Sequence, residues 1–492
     1  MQDSGDLITL IKSRIALIVV ETPDELLAVD LLRRVSAELG QPLFTWTVTE
    51  GLHRQESGFE PQKLNMRPQE VLANIKAGGA SGIYLLIDFH PYFQDPLNVR
   101  LLKEVALVAE QKQQTIILLS QQLSLPPELE QLSASFKLKL PDKEELKKIV
   151  LEELNEWTRQ NNGRSPEIEK GAIDAIVHNL RGVSIGAARR LARQAMQNDG
   201  ALTNGDLKTL VSSKVELLNR NGVLTFEPDT KRFADIGGLE NLKTWLSKRK
   251  PVFRGEVEIP GLPIPKGIML LGVQGCGKSL AAKVIAGMWE VPLLLLDIGA
   301  IYNKYIGETE RNTRESLRTA EALAPCVLWI DEIEKGLSTR GDDNGTSQRV
   351  LGTFLTWMAE QAAGVFIVAT ANDIQALPPE LIRKGRLDEI FFVDLPDAAT
   401  RREIFIIHLK KRGLDPNGFY LDVLVSASEG FSGAEIEQAV VAGLYSSLGG
   451  SGKLDPETLI KELKATRPLS VLMAEKITGL RAWASDRTVP AG

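Results

Sequence analysis

Cysteine and histidine are scarce in this 492-residue chain, which has two of the first and four of the second. Cys276 and Cys326 form no CxxC pair and the histidines are scattered, so neither a disulfide framework nor a clustered metal site is expected. No HExxH occurs, which disfavours a built-in zinc protease. No apolar run approaches the roughly 20 residues that span a bilayer, and the opening MQDSGDLITLIKSR places acids before its short apolar stretch. A soluble, unprocessed protein in a reducing, cytoplasmic setting is the expectation. Strong charge of either sign is also missing. With 58 basic and 64 acidic side chains, a net charge of −6 gives little counterion release from a polyanion, so bulk attraction to nucleic acid is not indicated.

What is present is enough apolar surface for at least two cores, 43% of residues over a length that exceeds one ordinary domain. Five short apolar runs alternate with helical-period segments in the second half: IMLLG (268–272), PLLLLD (292–297), CVLWID (326–331), VFIVAT (365–370) and EIFFVDLP (389–396). Such runs predict buried parallel strands of an α/β sheet. The first half carries the same series: RIALIVVET (14–22), PLFTWTVTE (42–50), IYLLIDFH (83–90), TIILLSQQ (115–122) and FKLKLPD (136–142). LPPEL recurs at 125–129 and 377–381, and LPD at 140–142 and 395–397, in the same order and at nearly the same separation. Agreement of order, spacing and position argues for a duplicated plan. Each LPD precedes a helical stretch and a Gly-x-Ser turn, GVSIGAARR (182–190) and GFSGAEIEQ (430–438), which read as small helical lids.

The fold class is therefore α/β, with two parallel-sheet modules of P-loop type, each with a helical lid. The expected divisions are an α/β domain at 1–142, a lid-like subdomain at 143–215, a linker at 216–232, a second α/β subdomain at 233–397, its lid at 398–483 and a flexible tail at 484–492. NRNGVLTFEPDTKRF (219–233) lacks clean helical periodicity and carries turn formers, which places the linker there.

The chemistry concentrates in the second half. Gly272-Val-Gln-Gly275-Cys276-Gly277-Lys278-Ser279 follows the first strand and opens a helical segment, the context that G-x-x-x-x-G-K-[ST] requires. Glycines there let backbone N–H groups curl around phosphate oxygens, Lys278 supplies charge between β- and γ-phosphates, and Ser279 offers a hydroxyl to Mg²⁺. On the third strand, CVLWIDE brings Asp331 and Glu332 to a carboxyl end, where α/β sheets bind ligands. Asp331 is expected to hold Mg²⁺ through water, and Glu332 to orient or deprotonate the attacking water.

FADIGGLENLK (233–243), GVQGCGKS, KYIGETE, LWIDEIE, VATAND and LPPELIRKGRLDEIFFVDLPD resemble successive signatures of the AAA+ ATPases, over roughly residues 233–445. The resemblance implies that Asn372 is a polar sensor on the fourth strand. It also implies that Arg383 and Arg386 reach the γ-phosphate of a neighbouring subunit in a ring, commonly a hexamer. Tyr305 and Ile306 resemble the aromatic-aliphatic pair of a pore loop that grips extended polypeptide. Ile236 and Gly237 resemble the segment beside the base, and Gly433 and Ala434 the lid turn near the adenine; with Leu280 they complete the implied ATP contacts. Val273-Gln274 stand where Pro-Pro is common in the family, Cys276 where Thr or Ala is common, and Ser279 where Thr is frequent. Cys276 is read as a small residue that fits the loop, with an oxidation-sensitive thiol as the alternative.

The corresponding position in the first half reads ETPDELLAVDLL (21–32), without GK[ST] and with acids that repel phosphate. Its third strand ends in Asp88-Phe89, and its LPPEL runs into EQLSAS, without arginines. This half is expected to be degenerate and to bind no ATP by a P-loop. The whole layout resembles an AAA family encoded in algal plastids and cyanobacteria, which implies a cytosolic or stromal setting in a photosynthetic organism. The expected function is ATP-driven, chaperone-like remodelling of a protein partner. A nucleotide-gated scaffold that assembles without threading is the alternative, and nucleic-acid remodelling is the third class.

Overall fold

The computed structural model of the protein describes residues 2–22, 24–55, 64–121, 123–197, 201–203, 205–219, 223–230, 235–257, 259–302, 309–337, 346–360, 364–383, 385–448 and 454–492. Packing divides the chain into two units, Met1–Arg164 with Val183–Arg193, and Ser165–Gly182 with Gln194–Gly492. The subdomain expected at 143–215 is thus shared between them. Among the described residues no helix is long and apolar enough to cross a membrane.

Among the described residues the first unit is built on six strands: β1 (Leu17–Glu21), β2 (Leu43–Thr47), β3 (Gly51–Arg54), β4 (Gly82–Ile87), β5 (Gln114–Ser120) and β6 (Ser133–Phe136). They lie in the order β3-β2-β4-β5-β1-β6, all parallel except the β2–β3 pair. Because successive strand side chains point to opposite faces, one sheet sorts its apolar residues into two cores. Ile18, Val20, Ile83 and Ile117 pack with Ala28, Leu32 and Val35 of helix Glu25–Leu39. Leu17, Val19, Leu86 and Leu118 pack with Val71 and Ile75 of helix Pro68–Gly78 and Leu102 and Val105 of helix Pro96–Lys112.

The second unit contains a short parallel pair, β7 (Glu167–Ile168) and β8 (Ala201–Leu202), and a seven-stranded sheet. That sheet comprises β9 (Leu224–Phe226), β10 (Gly267–Gly272), β11 (Leu293–Leu296), β12 (Cys326–Ile330), β13 (Val365–Ala371), β14 (Glu389–Val393) and β15 (Val489–Pro490). Its order is β15-β14-β10-β13-β12-β11-β9, and among the described residues only β9 is antiparallel to its neighbour. Without the edge strands β3, β9 and β15, the two sheets share one topology: β2-β4-β5-β1-β6 and β11-β12-β13-β10-β14. The lid helices Ala398–Lys411, Leu421–Ala427, Gly433–Ser447 and Pro456–Ala465 enclose Phe405, Leu409, Phe431, Ile436 and Val440.

The repeated motifs build repeated local structure. Asp142 and Asp397, the acids of the two LPD motifs, each cap the following helix by accepting from an N–H three residues on, at 2.9 and 2.8 Å. Each LPPEL forms one short helical turn, Pro127–Glu130 or Pro379–Ile382, that buries its leucine, Leu129 or Leu381.

Three expectations require correction. The fifth strand of the first unit is Ser133–Phe136, not 136–142: Leu17 to Val20 pair with Ser133 to Phe136, and beyond that point Lys139 turns to solvent to meet Asp6 at 2.9 Å. The expected linker contributes β9, which pairs with β11, and Val223 is buried behind it. The expected flexible tail forms the end of helix Ala474–Ala484 and then β15 on the edge of β14. All three involve short strands whose hydrogen-bond partners are distant in sequence, a signal that local periodicity does not carry.

Candidate active site

β10 runs straight into the phosphate loop, and helix Lys278–Trp289 leaves it. Gly275 (φ +78°) and Gly277 (φ +89°) are left-handed, a conformation that favours glycine. A Cβ at Gly275 would also lie 2.9 Å from Ser432 Oγ. Lys278 is 6% exposed and donates from Nζ to the carbonyls of Gly272, at 2.9 Å, and Val273, at 2.8 Å. Burial pulls its pKa below the ordinary lysine value, while Glu334, Asp331 and Glu332 push the other way. Phosphate oxygens arriving there offer this ammonium stronger acceptors than its own loop carbonyls. Cys276 is half-buried, and desolvation pushes its thiol up to about 12, which favours the protonated form at neutral pH.

Across the loop, Asp331 stands just beyond β12, with Oδ1 3.1 Å from the Ser279 hydroxyl and 2.5 Å from Thr370 Oγ1 on β13. Thr370 is itself fixed by the Glu332 N–H, which donates to its hydroxyl at 2.9 Å. One hydroxyl beside one carboxylate fits Mg²⁺, which keeps several waters and takes its other ligands from phosphate. Among the described residues no cluster of three or more His, Cys, Asp or Glu holds a metal by itself.

Glu332 occupies a left-handed position (φ +47°) and accepts at Oε1 from Asn372 Nδ2 at 2.9 Å, while its carboxylate pairs with Lys335. The Asn372 N–H donates to buried Glu334, at 2.9 Å, whose pKa burial raises. Asn372 therefore connects the two glutamates through different atoms.

These groups share a cavity of about 730 Å³, a volume in the range of nucleotide-sized ligands. Ile236, Gly237, Gly275, Cys276, Gly277, Lys278, Ser279, Leu280, Asp331, Glu332, Asn372, Gly433 and Ala434 all line it. Gly272 does not line it but accepts from Lys278. The lid closes one side: the Ala434 N–H donates to the Gly275 carbonyl at 3.0 Å, where Ser432 and Glu435 form a capping box. Sequence reasoning missed Thr370, Thr400, Ile404 and His408, which also line the cavity. The last three recur at helical spacing on Ala398–Lys411, a legible signal for one face but not for what it faces. Arg383 and Arg386 lie between helix Pro379–Ile382 and β14 and do not line the cavity; Arg386 donates to the Glu380 carbonyl. Tyr305 and Ile306 lie outside the described residues.

Comparison with known proteins places names beside this geometry. Residues 268–395 match the family of ATPases associated with various cellular activities (AAA). Residues 3–138 match the N-terminal domain, and 144–221 the second domain, of SpoVK-like AAA ATPases. The AAA domain-containing protein ycf46 of Trieres chinensis is 34% identical over 493 residues, covering 99% of this chain and 97% of that protein. Its counterpart in Pyropia yezoensis is 35% identical, covering 99% and 98%. A cell division cycle protein 48 homologue of Archaeoglobus fulgidus is 31% identical over 61% of this chain and 43% of its own length.

Proposed function

The chain belongs to the AAA ATPases, in the family of the ycf46 AAA domain-containing proteins, and from that premise we propose that this ATP hydrolase remodels a protein partner as a ring of its own copies. The observation that carries the reading is the convergence of Lys278, Ser279, Asp331, Glu332 and Asn372 on one cavity. Lys278 neutralises the β- and γ-phosphates of ATP, and Ser279, with Asp331 through water, would hold Mg²⁺, which would supply positive charge against the phosphoryl oxygens. Glu332 orients the attacking water and takes its proton, and Asn372 sets the direction of that carboxylate. Arg383 and Arg386 serve the cavity of the next subunit, where an arginine stabilises charge developing on the transferred phosphoryl group. Their position away from their own cavity supports this assignment.

Tyr305 and Ile306 grip the substrate polypeptide, and the likeness to the ycf46 proteins supports a stromal or cytoplasmic setting. The test is affinity capture with Glu332→Gln, which retains ATP and should retain an unfolded or assembled partner. If Tyr305→Ala leaves partner remodelling intact while Lys278→Ala abolishes it, threading falls and a nucleotide-gated scaffold replaces it. A monomer that hydrolyses ATP at full rate at any dilution contradicts the shared site.

A further inference from the structure

The segment after Trp483 builds part of the nucleotide cavity. Pro490, Ala491 and Gly492 line it. Ala491 is 1% exposed; its N–H donates to the Phe392 carbonyl at 2.9 Å, and its carbonyl accepts from the Leu242 N–H at 3.1 Å. Asn241 Nδ2 donates to main-chain oxygens of Pro490, at 3.2 Å, and Gly492, at 3.3 Å. Upstream, Arg481 grips Asp394 by Nε at 3.0 and 2.9 Å and by a terminal nitrogen at 2.9 Å, and Asp394 lines the same cavity. Arg481 thus fixes the helix that precedes the segment to the loop that leads into the lid, and the segment itself is held on one side by β14 and on the other by helix Glu240–Phe253.

We propose that Val489–Gly492 is a retaining wall for the bound nucleotide and that Asn241 is its positioning residue. The inference rests on the reading of this cavity as the ATP site. Leu239 lines the cavity next to Gly492, so a ligand that leaves on that side displaces a strand held by backbone hydrogen bonds on two sides, and such retention acts on dissociation more than on association. Ala491 and Gly492 present backbone and little side chain there, so the wall takes little volume from the ligand.

The experiment measures ADP dissociation from the full chain by stopped-flow displacement of a fluorescent ADP, with Asn241→Ala and with residues 489–492 deleted. Dissociation should accelerate about tenfold in both, with association nearly unchanged. Unchanged dissociation in folded variants, as judged by circular dichroism, overturns the proposal and leaves the segment a sheet edge only. If the deletion fails to fold, Asn241→Ala decides alone, because it leaves the β14–β15 pairing in place. Failure of the unaltered chain to bind ADP at all would instead overturn the ATP reading.

Discussion

At the carboxyl end of β4 and of β12 an aspartate follows an isoleucine, and then the two units part: Phe89 stands in one, Glu332 in the other. Both aspartates have a hydroxyl from the neighbouring strand, Ser120 at 3.4 Å from Asp88 and Thr370 at 2.5 Å from Asp331. Glu332 is partly exposed to a cavity and bonded to Asn372. Phe89 is fully buried, with its ring 5.4 Å from that of Trp46 and 5.7 Å from those of Tyr92 and Phe93. The position that carries a cavity-lining carboxylate in the second unit is core in the first.

The strand-to-helix turn repeats the contrast. In the second unit the Gly275 carbonyl of the phosphate loop accepts from the lid's Ala434 N–H. At the corresponding turn of the first unit, Gly186 donates its N–H to the Asp24 carboxylate at 3.1 Å, just before helix Glu25–Leu39. An anionic side chain thus stands where a phosphate loop would leave room for phosphate. At these two positions the sheet topology is kept while a side chain with a structural role stands in place of a cavity group.

The largest expected break in this comparison is Lys278→Ala, which should lower ATP hydrolysis by about 10³-fold or more. Calorimetry of the unaltered chain should count one ATP per protomer, and a second site would sink the asymmetry. Glu332→Gln should lower turnover by roughly 10²–10³-fold while ATP stays bound, since it removes the proposed base and leaves Lys278 and Ser279 in place. Phe89→Ala should cost about 3–5 kcal/mol of first-unit stability in a denaturant titration, the usual range for emptying a buried aromatic site. Glu332→Ala should cost little by the same measure, and equal losses would erase the distinction between core and site. Asp24→Ala removes one acceptor and should cost about 1 kcal/mol, with hydrolysis within about twofold of the unaltered chain.

The phosphate loop and Asp331-Glu332 were legible because each is a contiguous motif at the end of a strand, and the strands announced themselves by continuous apolar runs. The duplication was legible in LPPEL and LPD because both encode local geometry, a one-turn helix and a helix cap. Thr370 and His408 were not, because a threonine in VFIVAT and a histidine in FIIHLKK look like ordinary strand and helix residues until the chain is folded. The packing role of Asp24 escaped for the same reason: its partner Gly186 is remote in sequence.

By itself the sequence determined two parallel-sheet modules, a single phosphate loop and the acids that face it, because turn glycines, strand periodicity and short motifs act over a few residues. Only the tertiary structure decided that Asn372 couples Glu332 to Glu334, that Cys276 is a half-buried thiol whose pKa is raised and that Val489–Gly492 returns to the cavity beside β14. Those features depend on burial and on hydrogen bonds between distant segments, which no local pattern of residues specifies.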